Sequence, residues 1–156
     1  ISLNGVEQSI AKHIGKMRYE NARSKGIIDR KMGEQSNEQT DLEGFAAELA
    51  FCKIANCYPD LDNRVDNGYD CIWQGRKVDV KTTRYKTGKL LATLKDNKNA
   101  DLYALMIGEF PTYRLVGVIE ASEFLVERNI RDLGRGRGYC LEQKDLKELK
   151  DFYVEN

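Results

Sequence analysis

The sequence predicts a domain of the α/β (α+β) class, and three observations carry the prediction. Apolar residues recur at helical spacing through residues 6–25 and again through 40–55. Residues 69–83 form two short β-prone runs about Gln74-Gly75, and residues 102–107 and 113–119 are apolar runs of strand length. The 156 residues suffice to bury one core, and neither a repeat nor a domain boundary is visible, so residues 1–156 are expected to form one domain.

Along the first helix, Val6, Ile10, Ile14 and Met17 define the expected buried stripe, Ala22 lies near it, and Gly26 is the stop. Lys12, Lys16, Arg23 and Lys25 fall away from that stripe. His13 reads as a partly packed side chain rather than a catalytic base. Residues 27–39 are polar and mixed in charge and are expected to be a loop, with Arg30 and Lys31 as candidate contacts to a polyanion.

The second helix buries Leu42, Phe45, Ala46 and Leu49. Thr40 followed three residues later by Glu43 reads as a capping box, which gives Glu43 a structural task. Glu48 lies about 140° further round the helix, so the two glutamates are not expected to serve one ion. Gly44, one turn before Glu48, leaves room for a strand or a substrate.

Residues 57–68 carry turn chemistry at Pro59, Asn63 and Asn67-Gly68. Asp60, Asp62 and Asp66 are read there as loop acids, because no Glu completes a calcium loop. Residues 83–100 present Lys86, Lys89, Lys95 and Lys98, and with Thr82, Thr83, Arg84 and Tyr85 they suit phosphate contacts. After the apolar strands, residues 121–127 are expected to be helical. Residues 131–138 are expected to be a cationic loop, in which Arg131, Arg135 and Arg137 either touch nucleic acid or simply face solvent. A closing helix is expected over residues 141–153.

The hairpin holds the strongest chemical signal. With Gln74-Gly75 as a two-residue turn, Trp73 pairs with Arg76, Cys71 with Val78, and Asp70 falls opposite Asp79. Alternation puts Asp79 and Lys81 on one face and Val78 and Val80 on the other. Two opposed carboxylates repel, and a hard divalent cation removes the conflict. Beside such an ion Lys81 can hold or deprotonate a water that attacks a phosphodiester. The alternative is an exposed hairpin whose charges are solvated or paired with Lys77.

Asp70 followed by Asp79-Val80-Lys81 resembles the core motif of the PD-(D/E)XK nuclease superfamily, with Tyr69 in the place of the nominal Pro. The resemblance covers residues 40–118. It implies a central mixed β-sheet flanked by helices, the restriction-endonuclease-like core, with residues 1–39 as an N-terminal helical extension. Gly44-Phe45-Ala46-Ala47-Glu48 matches the helix that supplies the upstream acid. The implied catalytic set is Glu48, Asp70, Asp79 and Lys81. Mg²⁺ or Mn²⁺ would be held by Glu48, Asp70, Asp79 and the Val80 carbonyl.

The implied activity is hydrolysis of DNA, as an endonuclease, with a homodimer suited to cutting both strands. Lys12, Lys16, Arg30, Lys31, Thr82, Thr83, Arg84, Lys86, Lys89, Arg135 and Arg137 are the expected nucleic-acid contacts. The alternatives are a non-catalytic DNA- or protein-binding module that keeps the fold, and a Holliday-junction resolvase or exonuclease of the same superfamily. Residues 41–59 and 79–95 also resemble small proteins of tailed bacteriophages, which would place the protein in the host cytoplasm.

Formal net charge is zero, so a globally basic nucleic-acid binder is excluded. Charge is instead local: residues 76–98 hold eight Lys or Arg against two Asp, and residues 12–31 hold seven against two acids. Patches of that kind beside an acidic site suit a phosphate backbone, although either alone also suits a solvated face. No run is long enough to cross a membrane, and no secretory signal pattern opens the chain. The chain begins at Ile1 rather than Met, which predicts a trimmed start. Cys52, Cys57, Cys71 and Cys140 lack Cys-x-x-Cys spacing, and His13 is the single histidine. That argues against structural zinc and for reduced, mostly buried thiols.

Overall fold

The computed structural model describes residues 1–24, 37–62, 67–95 and 99–155, and it has mixed helices and strands. Helix α1 spans Gly5–Ser24 and helix α2 spans Asn37–Ala55. Strands β1 (Cys71–Trp73), β2 (Arg76–Thr83), β4 (Leu102–Glu109) and β5 (Thr112–Glu120) form one sheet in the order β1-β2-β4-β5. Only the β2–β4 pair is parallel, so the sheet is mixed. Strands β3 (Leu90–Thr93), β6 (Ile130–Asp132) and β7 (Arg137–Leu141) form a second, antiparallel sheet in the order β3-β7-β6. A short helix α3 (Ala121–Phe124) follows β5.

Gln74 and Gly75 both take positive φ, which is the geometry of a two-residue hairpin turn. The register is Trp73 with Arg76 and Cys71 with Val78, as the turn length requires. Alternation along β2 and β4 then splits the interior. Val78, Val80, Leu102, Ala104 and Met106 pack with α2, whereas Tyr103 and Leu105 pack with Leu90, Tyr139 and Phe124 beneath the second sheet.

Helix α1 buries a different face from the expected one. Val6, Ile10 and Met17 are exposed, and the inward residues are Ala11, Ile14 and Gly15. The reason is a close helix crossing: a Cβ on Gly15 would lie 2.9 Å from the Leu42 Cα, so small residues rather than a Val/Ile/Met stripe face α2. His13 is exposed as well.

Three further expectations are corrected. Thr40 lies inside α2, which is already helical at Asn37, so Thr40 and Glu43 do not form a capping box. Residues 131–138 are not a loop: Gly134 and Gly136 take positive φ in the turn of the β6–β7 hairpin. Residues 141–153 form two 3₁₀ turns, Gln143–Asp145 and Leu149–Phe152, instead of a helix. Backbone bonds in both directions between Val118 and Lys147, each 2.8 Å, hold the intervening segment extended. Gly117 permits that crossing, since a Cβ there would lie 2.6 Å from the Leu146 Cβ. Among the described residues, no helix is long and apolar enough to cross a membrane.

Candidate functional site

β1 covers only Arg76–Val78 of its neighbour, so beyond Val78 the β1 side of β2 has no strand partner among the described residues. Asp70 occupies that edge. Its backbone N–H donates to the Val78 carbonyl at 2.8 Å, and its Oδ2 accepts the Val80 N–H at 2.6 Å. A strand residue's N–H and C=O point to the same side, so the Val80 carbonyl faces the same edge. Asp70 thus stands one place beyond the ladder, with its carboxylate bonded to the backbone of β2.

Two further acids reach the same edge from opposite faces of the sheet. Glu48 comes from α2 on the Val78/Val80 face and is buried. Its carboxylate accepts both Arg18 guanidinium nitrogens, at 2.8 and 2.9 Å, and lies within hydrogen-bonding reach of Asp70. From the other face, Asp79 pairs with Lys81 at 2.9 Å, and Lys81 Nζ lies 5.9 Å from the Tyr103 ring centroid. Glu48, Asp70, Asp79 and Lys81 therefore come together, and Arg18 joins them.

Electrostatics follow from this crowding. Burial, followed by the neighbouring Glu48 charge, holds the Asp70 carboxyl well above the usual carboxylate range, although the Val80 N–H, Lys81 and Arg18 pull it back. Burial likewise raises Glu48, with Arg18 opposing and Asp79 assisting. Burial lowers the Arg18 guanidinium, yet Glu48, Asp70 and Asp41 outweigh it and the net shift is upward. Three carboxylic acids are thus balanced by two cations of the protein itself. Hard oxygen donors from a helix and a hairpin edge are the chemistry that Mg²⁺ or Mn²⁺ prefers, but the oxygens of the three acids do not all lie within 4.8 Å of one another. A dication would take over the neutralising role of Arg18 and Lys81. The three carboxylates are nevertheless less tightly gathered than one group of thiols described below.

Lys81 also lines a cleft of about 990 Å³ between the two sheets. Its wall carries Thr82, Thr83, Arg84, Tyr85 and Lys89 on one side, and on the other Arg131 and Lys144 together with Asp132, Glu142 and Asp145. The Gln143 amide donates to the Lys86 and Gly88 carbonyls, both at 2.8 Å, which fixes the basic turn against the wall. Thr82 Oγ1 is buried there with no hydrogen-bond partner. Lys86 is exposed beside this cleft, and Arg135 and Arg137 are exposed on the β6–β7 hairpin; none of the three lines it. Lys12 and Lys16 are on α1, where Lys12 lies over the Phe110 ring and Lys16 pairs with Glu20 at 3.9 Å. Arg30 and Lys31 lie outside the described residues.

Glu43 has another task altogether. Its carboxylate accepts the Phe110 N–H at 3.0 and 3.1 Å and the Tyr113 hydroxyl, securing the β4–β5 turn. A Cβ on Gly44 would meet nothing within 4 Å, so the helix surface one turn before Glu48 is open and no strand approaches it.

Sequence reasoning missed two features. Arg18 lay off the expected stripe of α1, and only the small residues Ala11 and Gly15, two turns and one turn before it, point to its face. The second is a sulfur cluster: Cys52, Cys57 and Cys71 place their Sγ atoms within 4.8 Å of one another. Among the described residues it is the one group of three or more Cys, His, Asp or Glu donors that close. Hydrogen bonds from Cys52 and Cys71 pull the Cys57 thiol down to about 4, while the bond with Cys57 raises Cys52 against an opposing bond with Cys71, and bonds with Cys52 and Cys57 raise Cys71. In comparisons with known proteins, no family model matches the chain and no curated protein does either.

Proposed function

We propose that this protein is a metal-dependent nuclease of restriction-endonuclease-like fold that hydrolyses phosphodiester bonds of DNA. The observation that carries the reading is the meeting of Glu48, Asp70, Asp79 and Lys81 at one open strand edge, beside a cleft whose β2 wall carries hydroxyls and cations. Glu48, Asp70, Asp79 and the Val80 carbonyl would hold Mg²⁺ or Mn²⁺. Bound there, the ion would supply Lewis-acid polarisation of a phosphoryl oxygen.

The chain's own residues do the rest. Arg84 and Lys89, with the Thr82 and Thr83 hydroxyls, engage the phosphate backbone without reading bases. Lys81, relieved of Asp79, orients the attacking water and offsets the charge that develops on the phosphate. Arg18, relieved of Glu48, remains beside the site as a second cation. A two-site homodimer would serve cleavage of both strands.

One observation favours a second reading, a binding module that keeps the fold without catalysis. The protein itself already neutralises Glu48 through Arg18 and Asp79 through Lys81. Incubation with supercoiled, linear, single-stranded and branched DNA, each with Mg²⁺, Mn²⁺ or EDTA, separates the two. Metal-dependent cleavage that is lost in Asp79→Ala and Lys81→Ala is expected. Binding without cleavage would establish the module instead, and cleavage that survives EDTA would remove the mechanism.

A further inference from the structure

Three sulfurs converge where the end of α2, the turn after it and the start of β1 meet. Cys52 and Cys71 are buried, at 2% and 1% exposure, and Cys57 is half-buried. The backbone fixes each of them. Asn56, with φ 55°, turns the chain at the end of α2 so that the Cys57 N–H donates to the Cys52 carbonyl at 2.9 Å. Cys71 lies in β1 and bridges to Pro59, two residues beyond Cys57. A core that needed only small apolar groups would have no reason to aim three thiols at one point. An odd number of them also leaves one thiol over from any disulfide.

We propose that Cys52, Cys57 and Cys71 form a binding site for a thiophilic d¹⁰ cation, and that Cu(I) is the ion it fits. A metal bonded to three sulfurs at about 2.3 Å sets those sulfurs roughly 4 Å apart. The observed separations, all within 4.8 Å, need to contract by less than about 1 Å to meet that geometry. Donor number then decides between ions. Structural Zn²⁺ takes four ligands, and no fourth Cys, His, Asp or Glu among the described residues joins this group. Thiolates select Cu(I), for which three sulfurs complete a trigonal shell. Half-buried Cys57 is the point of entry.

Loading exchanges the remaining S–H bonds for S–Cu bonds and releases those protons to solvent, with no change of oxidation state. Hard Mg²⁺ would not compete, since it prefers carboxylate oxygen. The inference therefore stands apart from the nuclease reading.

The test uses the whole chain, fully reduced and kept free of oxygen, titrated with Cu(I) in competition with bathocuproine disulfonate. One Cu(I) per chain should be withheld from the chelator, with sulfur as the only near neighbour by X-ray absorption. Cys57→Ser, whose fold is checked by circular dichroism and melting, should withhold none. Cys140→Ser, outside the group, should behave as wild type. Failure to withhold Cu(I), or equal uptake by Cys57→Ser, overturns the proposal. Tight one-to-one Zn²⁺ binding against a chromophoric indicator, with a tetrahedral Co²⁺ spectrum, overturns the choice of Cu(I).

Discussion

Glu43 and Glu48 stand five residues apart on one helix, and both are buried, at 7% and 5% exposure. Their surroundings are opposite in kind. Glu43 meets only neutral donors, the Phe110 N–H and the Tyr113 hydroxyl, and its carboxylate ties α2 to the β4–β5 turn. Glu48 meets the Arg18 guanidinium and shares its space with Asp70 and Asp79. A carboxylate that serves stability is surrounded by donors that cannot leave. Glu48 instead stands among other acids, with its charge offset by a long side chain; under the proposed reading it is the carboxylate that takes an ion once Arg18 gives way.

The largest effect that would break this contrast is catalytic. Under the nuclease reading, Glu48→Ala should reduce plasmid cleavage by at least about 10³-fold, in keeping with loss of a group that acts on the transition state. Glu43→Ala should cut at near wild-type rate wherever it is folded. Equal loss in both variants would show that the two glutamates do not divide the work.

The next effect concerns stability and has the opposite order. Glu43→Ala leaves the part-buried Phe110 N–H and the buried Tyr113 hydroxyl without their acceptor, and should cost about 3 kcal/mol in urea unfolding. Glu48→Gln keeps the shape and one acceptor for Arg18 while removing one of three crowded negative charges, so it should cost less than about half of that. A Glu43→Ala loss below that of Glu48→Gln would reverse the assignment.

The smallest effect is found in the metal-free protein. Lys81 already compensates Asp79, so the relief from removing a charge should appear at Asp70. The folded carboxyl of Asp70 binds its proton more tightly than the unfolded one does. Native protein therefore holds more protons than unfolded chain between the two pKa values, and this group's contribution falls as pH rises through the raised value. Asp70→Asn should melt higher than wild type at pH 8 and lose the advantage toward pH 5. Added Mg²⁺ should raise wild type and leave the variant nearly unmoved. Parallel melts of the two proteins at both pH values and with metal provide the check.

How much of this was legible in the sequence depends on what fixed each part. The β1–β2 register was readable because a two-residue turn determines parity, and parity determines which side chains share a face. β4 was readable as an unbroken apolar run, and β5 as a β-prone run that Arg114 interrupts. Arg18 was not, because three of the four residues of the expected stripe, Val6, Ile10 and Met17, lie in solvent with only Ile14 buried, while backbone contact at Gly15 chose the buried face. β6 and β7 are three and five residues long and rich in polar groups or glycine, and β3 is an apolar stretch of only four residues, so pairing across the chain decided them rather than local pattern. The sulfur cluster was hidden for a simpler reason: residues 52, 57 and 71 have no motif spacing, and only the packing of α2 on β1 brings them together.

The close crossing at Gly15 gives α1 a fulcrum. Residue 15 has no room for even a methyl group against the Leu42 backbone, and Arg18 lies one turn further along the same face. The missing side chain is thus the short arm of a lever whose long arm ends on Glu48. That the helix's own cation reaches the acids at the strand edge depends in part on hydrogen standing where carbon would not fit.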